Sequence, residues 1–186
     1  DVYPYVGLAK GLAERGHEPV LAMPGFYRET VEREGLEFRP IRPEIDPTDR
    51  DIIRRIMNPP TGSEYLLQWL FPDSLRDSYD DLLGAARGAD LIISHPITFA
   101  APVIANQLRI KWVSTVLAPL SFFSAHDFPV LPPAPWIKAI ERIPGAAELF
   151  VRMAKAMTRR WTGPLHTLRQ ELGLEPSGNP IFEGQH

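Results

Sequence analysis

At 186 residues, with 44% hydrophobic and 23% charged residues, the chain has the make-up of one large globular domain and is too rich in apolar residues for intrinsic disorder. A net charge of −3 with interspersed signs forms no basic stripe, which argues against nucleic acid as a partner, and no apolar run approaches the roughly 20 residues a membrane-spanning helix needs. The absence of cysteine excludes disulfides, thiolate nucleophiles and zinc–thiolate sites, and makes a reducing, cytoplasmic setting the default.

In chain order, Asp1-Val2-Tyr3-Pro4 reads as a loop entering a helix, with Tyr5, Leu8, Leu12, Ala9 and Ala13 on one stripe. A strand is predicted over 18–24. A short helix follows over 27–34, closed by Gly35 at its C′ position. The alternation of Leu36 to Ile41 predicts the next strand, and helical periodicity covers 49–58 and 63–87, interrupted at Asn58-Pro59-Pro60-Thr61-Gly62. Asp90 to Ser94 is a continuous apolar run of the kind buried on both faces of a sheet. Helix 98–108 and strand 111–118 follow it.

Proline numbers 20 of 186, against a usual share of about 5%, and clusters in Phe128-Pro129-Val130-Leu131-Pro132-Pro133-Ala134-Pro135. There it holds an extended connection between 119 and 135. Helices are predicted over 135–143 and 146–172, then a turn at Ser177-Gly178-Asn179-Pro180, after which Ile181-Phe182 opens a further element. Alternating helices and strands specify an α/β, doubly wound, Rossmann-like parallel sheet with right-handed crossovers. Its first and last strands are missing from the chain, so the sheet is expected to carry a gap.

Four stretches, in order, carry a family resemblance. Asp1 to Val20 resembles the G-D-V-x-P-x-x-x-L-A-x-x-L-x-x-R-G-H-x-V opening of bacterial and sterol-type glycosyltransferases of the GT-B fold. Val31 to Phe38 resembles the family's V-x-x-x-G-L-x-F passage. Ser94-His95-Pro96 through Ala105 resembles its x-H-P-x-x-F-A-A-P-x-I-A helix entry, and Asn179 to His186 its approach to the last strand before the interdomain linker. The resemblance implies that residues 1–186 form an incomplete N-terminal, acceptor-binding domain. A C-terminal domain, absent here, would hold most of a nucleotide-sugar donor, expected to be a UDP-sugar. No cofactor is assigned to this domain. The implied reaction is inverting hexosyl transfer to a hydroxyl of an apolar small-molecule acceptor such as a sterol, lipid or polyketide.

Such transfer needs a base for the acceptor hydroxyl, and the resemblance implies that Asp1 serves as base or positions the acceptor. Asp1 also suits the role of helix cap. His95 stands at the C-terminal edge of the strand ending at Ser94 and pairs with Asp1 as the second catalytic candidate; otherwise it caps helix 98–108 or packs beneath the loop at Pro119. Tyr3, Tyr65, Trp69, Phe71, Phe122, Phe123, His126 and Phe128 are the candidate acceptor contacts, the aromatics forming a flat apolar wall or, alternatively, part of the core. His17 is expected at a helix C-terminus. Five scattered histidines without an H-E-x-x-H arrangement give no metal site.

Arg152, Lys155, Arg159, Arg160 and Trp161 give the long final helix a basic face with apolar residues opposite, suited to peripheral membrane contact or simply to water. Two other functions remain. A dinucleotide-dependent oxidoreductase lacks a G-x-G-x-x-G after any visible strand, and a non-enzymatic module would bind a lipid or small apolar ligand. Oligomeric state is not encoded.

Overall fold

A computed structural model describes residues 2–44, 46–117, 138–139 and 142–183, with the side chains of residues 71 and 73 excepted. Helix α1 (Val2–Ala13) buries Val6 and Ala9 and ends at Gly16, whose φ of 84° is reached cheaply only without a Cβ. Strand β1 (Val20–Met23) pairs in parallel with β2 (Glu37–Pro40), Val20 opposite Glu37 and Met23 opposite Pro40. The crossover between them carries α2 (Arg28–Arg33), closed by Gly35 at φ 73° as the sequence predicts. Strands β3 (Leu91–Ser94) and β4 (Lys111–Ser114) form a second parallel pair in register, joined by α6 (Ala101–Leu108).

Between the pairs lie α3 (Arg50–Ile56), α4 (Gly62–Gln68) and α5 (Leu75–Ala86); α7 (Ala146–Glu171) follows β4. Among the described residues the strands form two separate pairs rather than one continuous sheet. Each pair has its own core. Val6, Ala9, Leu21, Met23, Val31, Leu36 and Phe38 pack around β1 and β2. The larger core, centred on Val103, Ile104, Leu165 and Leu168, lies between β3, α5, α6 and α7. Each fully buried aliphatic side chain there contributes roughly 1.5–3 kcal/mol of transfer free energy.

Ala22 and Ile41 reach across and pack against the larger core. Next to them, the Arg42 guanidinium grips Asp81 through Nε (2.7 Å) and Nη2 (2.8 Å) and touches Asp77 through Nη1 (2.9 Å). The two bonds to Asp81 form a fork of the kind that fixes orientation as well as distance. The end of β2 is thereby fastened to α5.

Several expectations are corrected. Segment 63–87 is not one helix: a π-helical turn over Trp69–Asp73 separates α4 from α5, and it contains Pro72, which supplies no N–H to an α-helical ladder. Helix α6 starts at Ala101, because Thr98 N–H bonds the His95 carbonyl and Ala101 N–H the Thr98 carbonyl, consuming 95–100 in turns. Strand β4 ends at Ser114. In α1, Leu8 is 41% exposed while Val6 and Ala9 point inward, so the buried stripe is rotated from the one predicted. The predicted helix over 135–143 falls largely outside the described residues.

Candidate functional site

Because β3 and β4 are parallel and in register, their C-terminal ends deliver His95 and Thr115 to one edge. The first turn of α1 brings Tyr5 to the same place. The Tyr5 hydroxyl lies 2.7 Å from Thr115 Oγ1, and Thr115 Oγ1 lies 3.0 Å from the Ser94 carbonyl oxygen. A carbonyl only accepts, so where Thr115 Oγ1 donates to Ser94 the phenol is the donor to Thr115 Oγ1; the Tyr5 hydroxyl also approaches the Thr115 carbonyl oxygen, at a longer 3.4 Å. The Ser94 carbonyl also accepts Thr115 N–H at 2.9 Å, and buried Ser94 Oγ accepts Trp112 Nε1–H at 2.9 Å.

The His95 ring stands edge-on to Tyr5, centroids 6.5 Å apart at 66°. Its Nδ1 accepts the Ile97 backbone N–H at 3.3 Å, so the neutral imidazole carries its proton on Nε2. Burial pushes this imidazole below its ordinary value. At neutral pH His95 is therefore an uncharged hydrogen-bond donor through Nε2. That geometry does not suit it to remove a proton with Nε2. The side chain does cap backbone, but of the 95–97 turn and not of α6, whose N-cap is Ala100 without a side-chain bond.

Asp1 lies outside the described residues, as do Phe122, Phe123, His126 and Phe128 and the side chain of Phe71. Tyr3, on the first turn of α1, is 77% exposed. Tyr65 and Trp69 are half-buried, and Tyr65 lines a cavity of about 330 Å³ with Arg54, Arg55, Thr61, Glu64 and Gln68. The Arg55 guanidinium sits 5.9 Å from the centre of the Tyr65 ring. This wall is more polar and cationic than the flat apolar one expected from the aromatics alone. Neither His95 nor Tyr3 lines it. A Cβ on Gly62, beneath the same corner, would meet the Ile56 carbonyl oxygen at 1.9 Å, so α3 and α4 approach closely only because residue 62 is glycine.

A second cavity, of about 380 Å³, lies between α6, β4, α7 and the turn at 177–183. Buried Arg169 borders it and donates two bonds to the Glu175 carbonyl, at 2.8 and 2.6 Å. Asn179 locks the turn to α7: Nδ2 donates to Thr158 Oγ1 (2.8 Å) and the Lys155 carbonyl (3.1 Å), and Oδ1 accepts Ile181 N–H (3.1 Å).

On α7, Leu149, Met153 and Met157, one turn apart, are 51%, 56% and 68% exposed. Arg152, Arg159 and Arg160 are exposed with them, so the basic and apolar residues share one face instead of standing opposite. Arg160 bonds Glu64 at 3.0 Å, and Lys155 pairs with Glu183. His17 is exposed, and only its backbone N–H, bonded to the Leu12 carbonyl, serves the end of α1. Among the described residues no three His, Cys, Asp or Glu side chains gather as a metal site, and no helix is long and apolar enough to cross a membrane.

The sequence does not single out Tyr5 or Thr115, which the structure brings to the His95 edge. Tyr5 reads as one more apolar position of a helix stripe, and Thr115 as part of a strand. A hydroxyl on an otherwise apolar stripe was the one available signal.

Known proteins resemble this chain in both sequence and fold. A sterol 3-beta-glucosyltransferase of Gibberella zeae is 31% identical over 141 residues, which are 72% of this chain and 9% of that protein. A sterol 3-beta-glucosyltransferase of Aspergillus clavatus is 32% identical over 130 residues, 68% of this chain and 9% of that protein. The O-mycaminosyltylonolide 6-deoxyallosyltransferase of Streptomyces fradiae is 34% identical over 129 residues, 61% of this chain and 28% of that protein. The chain thus spans a small part of each curated relative it matches. No family profile matches it. Among solved structures, the Streptomyces glycosyltransferase SsfS6 superposes with a TM-score of 0.53 at 22% identity, covering 94% of this chain and 44% of that one. The glycosyltransferase SnogD from Streptomyces nogalater gives 0.52 at 21% identity, covering 96% and 39%. These two likenesses are of fold.

Proposed function

We propose that this chain, which belongs to the glycosyltransferases of the GT-B fold, is the N-terminal, acceptor-binding half of an enzyme that transfers a hexose from a UDP-sugar to a hydroxyl of an apolar acceptor. The observation that carries this is the meeting of the α1 N-terminal turn with His95 at the C-terminal ends of parallel strands, where open α/β folds bind ligands. Sterol and macrolide chemistry in the names of the sequence relatives supports an apolar acceptor.

In the proposed mechanism Asp1, the residue immediately before α1, accepts the proton of the acceptor hydroxyl. The oxygen attacks the anomeric carbon as the bond to the nucleotide diphosphate breaks, and the diphosphate departs with the bonding electrons. His95 donates from Nε2–H, its Nδ1 being occupied by Ile97 N–H. Directed at the Asp1 carboxylate, that donor orients the base and keeps it ionised between turnovers. Tyr3 and the Tyr65–Trp69 region, with the aromatics of 119–135, hold the acceptor. A further domain supplies the donor's nucleotide contacts.

The exposed Leu149, Met153 and Met157 among arginines make α7 the proposed point of peripheral contact with a cytoplasmic membrane that supplies a lipid acceptor. Radiolabelled UDP-glucose given to the intact protein with a sterol, a macrolide aglycone or a diacylglycerol tests the central proposal. A labelled glycoside of at least one acceptor is expected. Transfer to none of them, with the protein folded and UDP-glucose bound, overturns it.

A further inference from the structure

We propose that Tyr5 is a positioning residue for this reaction: its hydroxyl, relayed through Thr115 to the Ser94 carbonyl, sets the N-terminal turn of α1 against the His95 imidazole. The inference rests on Asp1 and His95 being the acceptor-activating pair. Tyr5 and Thr115 are 110 positions apart in sequence, and their bond joins the element that follows Asp1 to the strand edge that presents His95.

With Thr115 Oγ1 donating to the Ser94 carbonyl, Tyr5 supplies the proton between the two hydroxyls, its 2.7 Å approach to Oγ1 being well shorter than its 3.4 Å approach to the Thr115 carbonyl oxygen. That carbonyl belongs to the peptide unit leading into His95 and accepts a second bond from Thr115 N–H at 2.9 Å. Rotating the peptide breaks both bonds together. The imidazole is further held at Nδ1 by Ile97 N–H and along its edge by the Tyr5 ring. Tyr5 therefore restrains His95 twice, through the ring and through the peptide plane. A phenylalanine would fill the same volume but would leave the relay without its donor. Misplacement of a reacting group by about 1 Å costs up to about 100-fold in rate, so a restraint on His95 from the helix that follows Asp1 acts on turnover more than on stability.

The test uses the intact enzyme with UDP-glucose and a sterol, and the variants Tyr5→Phe, Thr115→Val, Thr115→Ser, the Tyr5→Phe/Thr115→Val double variant and His95→Ala. Tyr5→Phe and Thr115→Val are each expected to lower kcat about tenfold, the scale of one neutral hydrogen bond, with the UDP-glucose KM within about twofold of wild type. Thr115→Ser, which keeps the hydroxyl, restores turnover to within about twofold. The double variant falls no further than the worse single one, because both break the same relay. If His95→Ala is strongly impaired while Tyr5→Phe turns over normally, or if the two single losses multiply in the double variant, the Tyr5 proposal is overturned and the Asp1–His95 pair stands. If His95→Ala itself keeps full turnover, the pair falls and Tyr5 with it. Should Tyr5→Phe not fold, the contrast between Thr115→Val and Thr115→Ser decides the same question.

Discussion

Asparagine and glutamine at position 95 separate two jobs that histidine performs with its two nitrogens. The amide oxygen of asparagine occupies the place of Nδ1 and can still accept Ile97 N–H, but nothing then stands where Nε2–H was. Glutamine reverses this: its amide nitrogen reaches the Nε2 position and donates, while the bond that closes the 95–97 turn is lost. A hydrogen bond to an ionised carboxylate is worth about 1.5–3 kcal/mol, so losing the Nε2 donor should slow turnover by roughly 10- to 150-fold. The turn bond is neutral and, at 3.3 Å, long, and its loss should cost about 0.5–1 kcal/mol of stability with a small effect on rate. The account thus predicts that His95→Asn has a near-normal urea midpoint and poor kcat, and that His95→Gln has a lowered midpoint and most of its kcat. Steady-state glycosyl transfer and urea denaturation monitored by tryptophan fluorescence measure the two quantities. The opposite pattern, full turnover in His95→Asn with loss confined to His95→Gln, would show that the imidazole only shapes the turn.

Three further outcomes follow from the packing and the charges. Gly62→Ala places a Cβ 1.9 Å from the Ile56 carbonyl oxygen, so α3 and α4 must separate; a loss of about 1–3 kcal/mol in urea is expected, and an unchanged midpoint contradicts the close approach. Asn179→Ala removes two side-chain hydrogen bonds that lock the 177–183 turn to α7 and one within the turn, for a loss of about 2 kcal/mol and faster amide exchange over 177–183; no change in exchange would refute the lock. Burial holds the His95 imidazole below its ordinary value of 6.5, so the unfolded chain takes up that proton first as pH falls. The associated stability is complete above about pH 6.5 and is lost as pH descends toward the folded-state value. His95→Asn should flatten this part of the urea-midpoint profile, and an identical profile in the variant rules out His95 as its source.

Much of the fold can be read directly from local chemistry. The alternation at 37–40 marks a strand because burial imposes a period, and Gly35 marks a helix end because a positive φ favours glycine; the apolar run at 91–94 also marks a strand, but not one buried on both faces as expected, since Leu91 is 42% exposed. The break at 69–73 was harder to see. Leu66, Leu67 and Leu70 continue toward Leu75 and Tyr79 in helical period, and periodicity does not register how a π-helical turn accommodates Pro72.

The site was legible as residue types and not as geometry. His95 was identifiable from its place after a strand, whereas its tautomer depends on a backbone N–H two residues on. The contact of Tyr5 with Thr115 joins α1 to the residue just after β4, 110 positions on, which no local pattern encodes. The polarity of the Tyr65 cavity was missed for the same reason. Arg54 and Arg55 lie in a different helix, and only the tight turn at Gly62 folds that helix back onto Tyr65.

Single-turnover transfer from radiolabelled UDP-glucose to a sterol, comparing wild type with Asp1→Asn in the intact enzyme, tests most directly whether the corner formed by α1 and His95 activates the acceptor. General-base catalysis contributes typically 10²–10⁴-fold, so the account predicts that Asp1→Asn slows the chemical step by at least about 100-fold while UDP-glucose affinity stays within about twofold. A transfer rate within about twofold of wild type would contradict it.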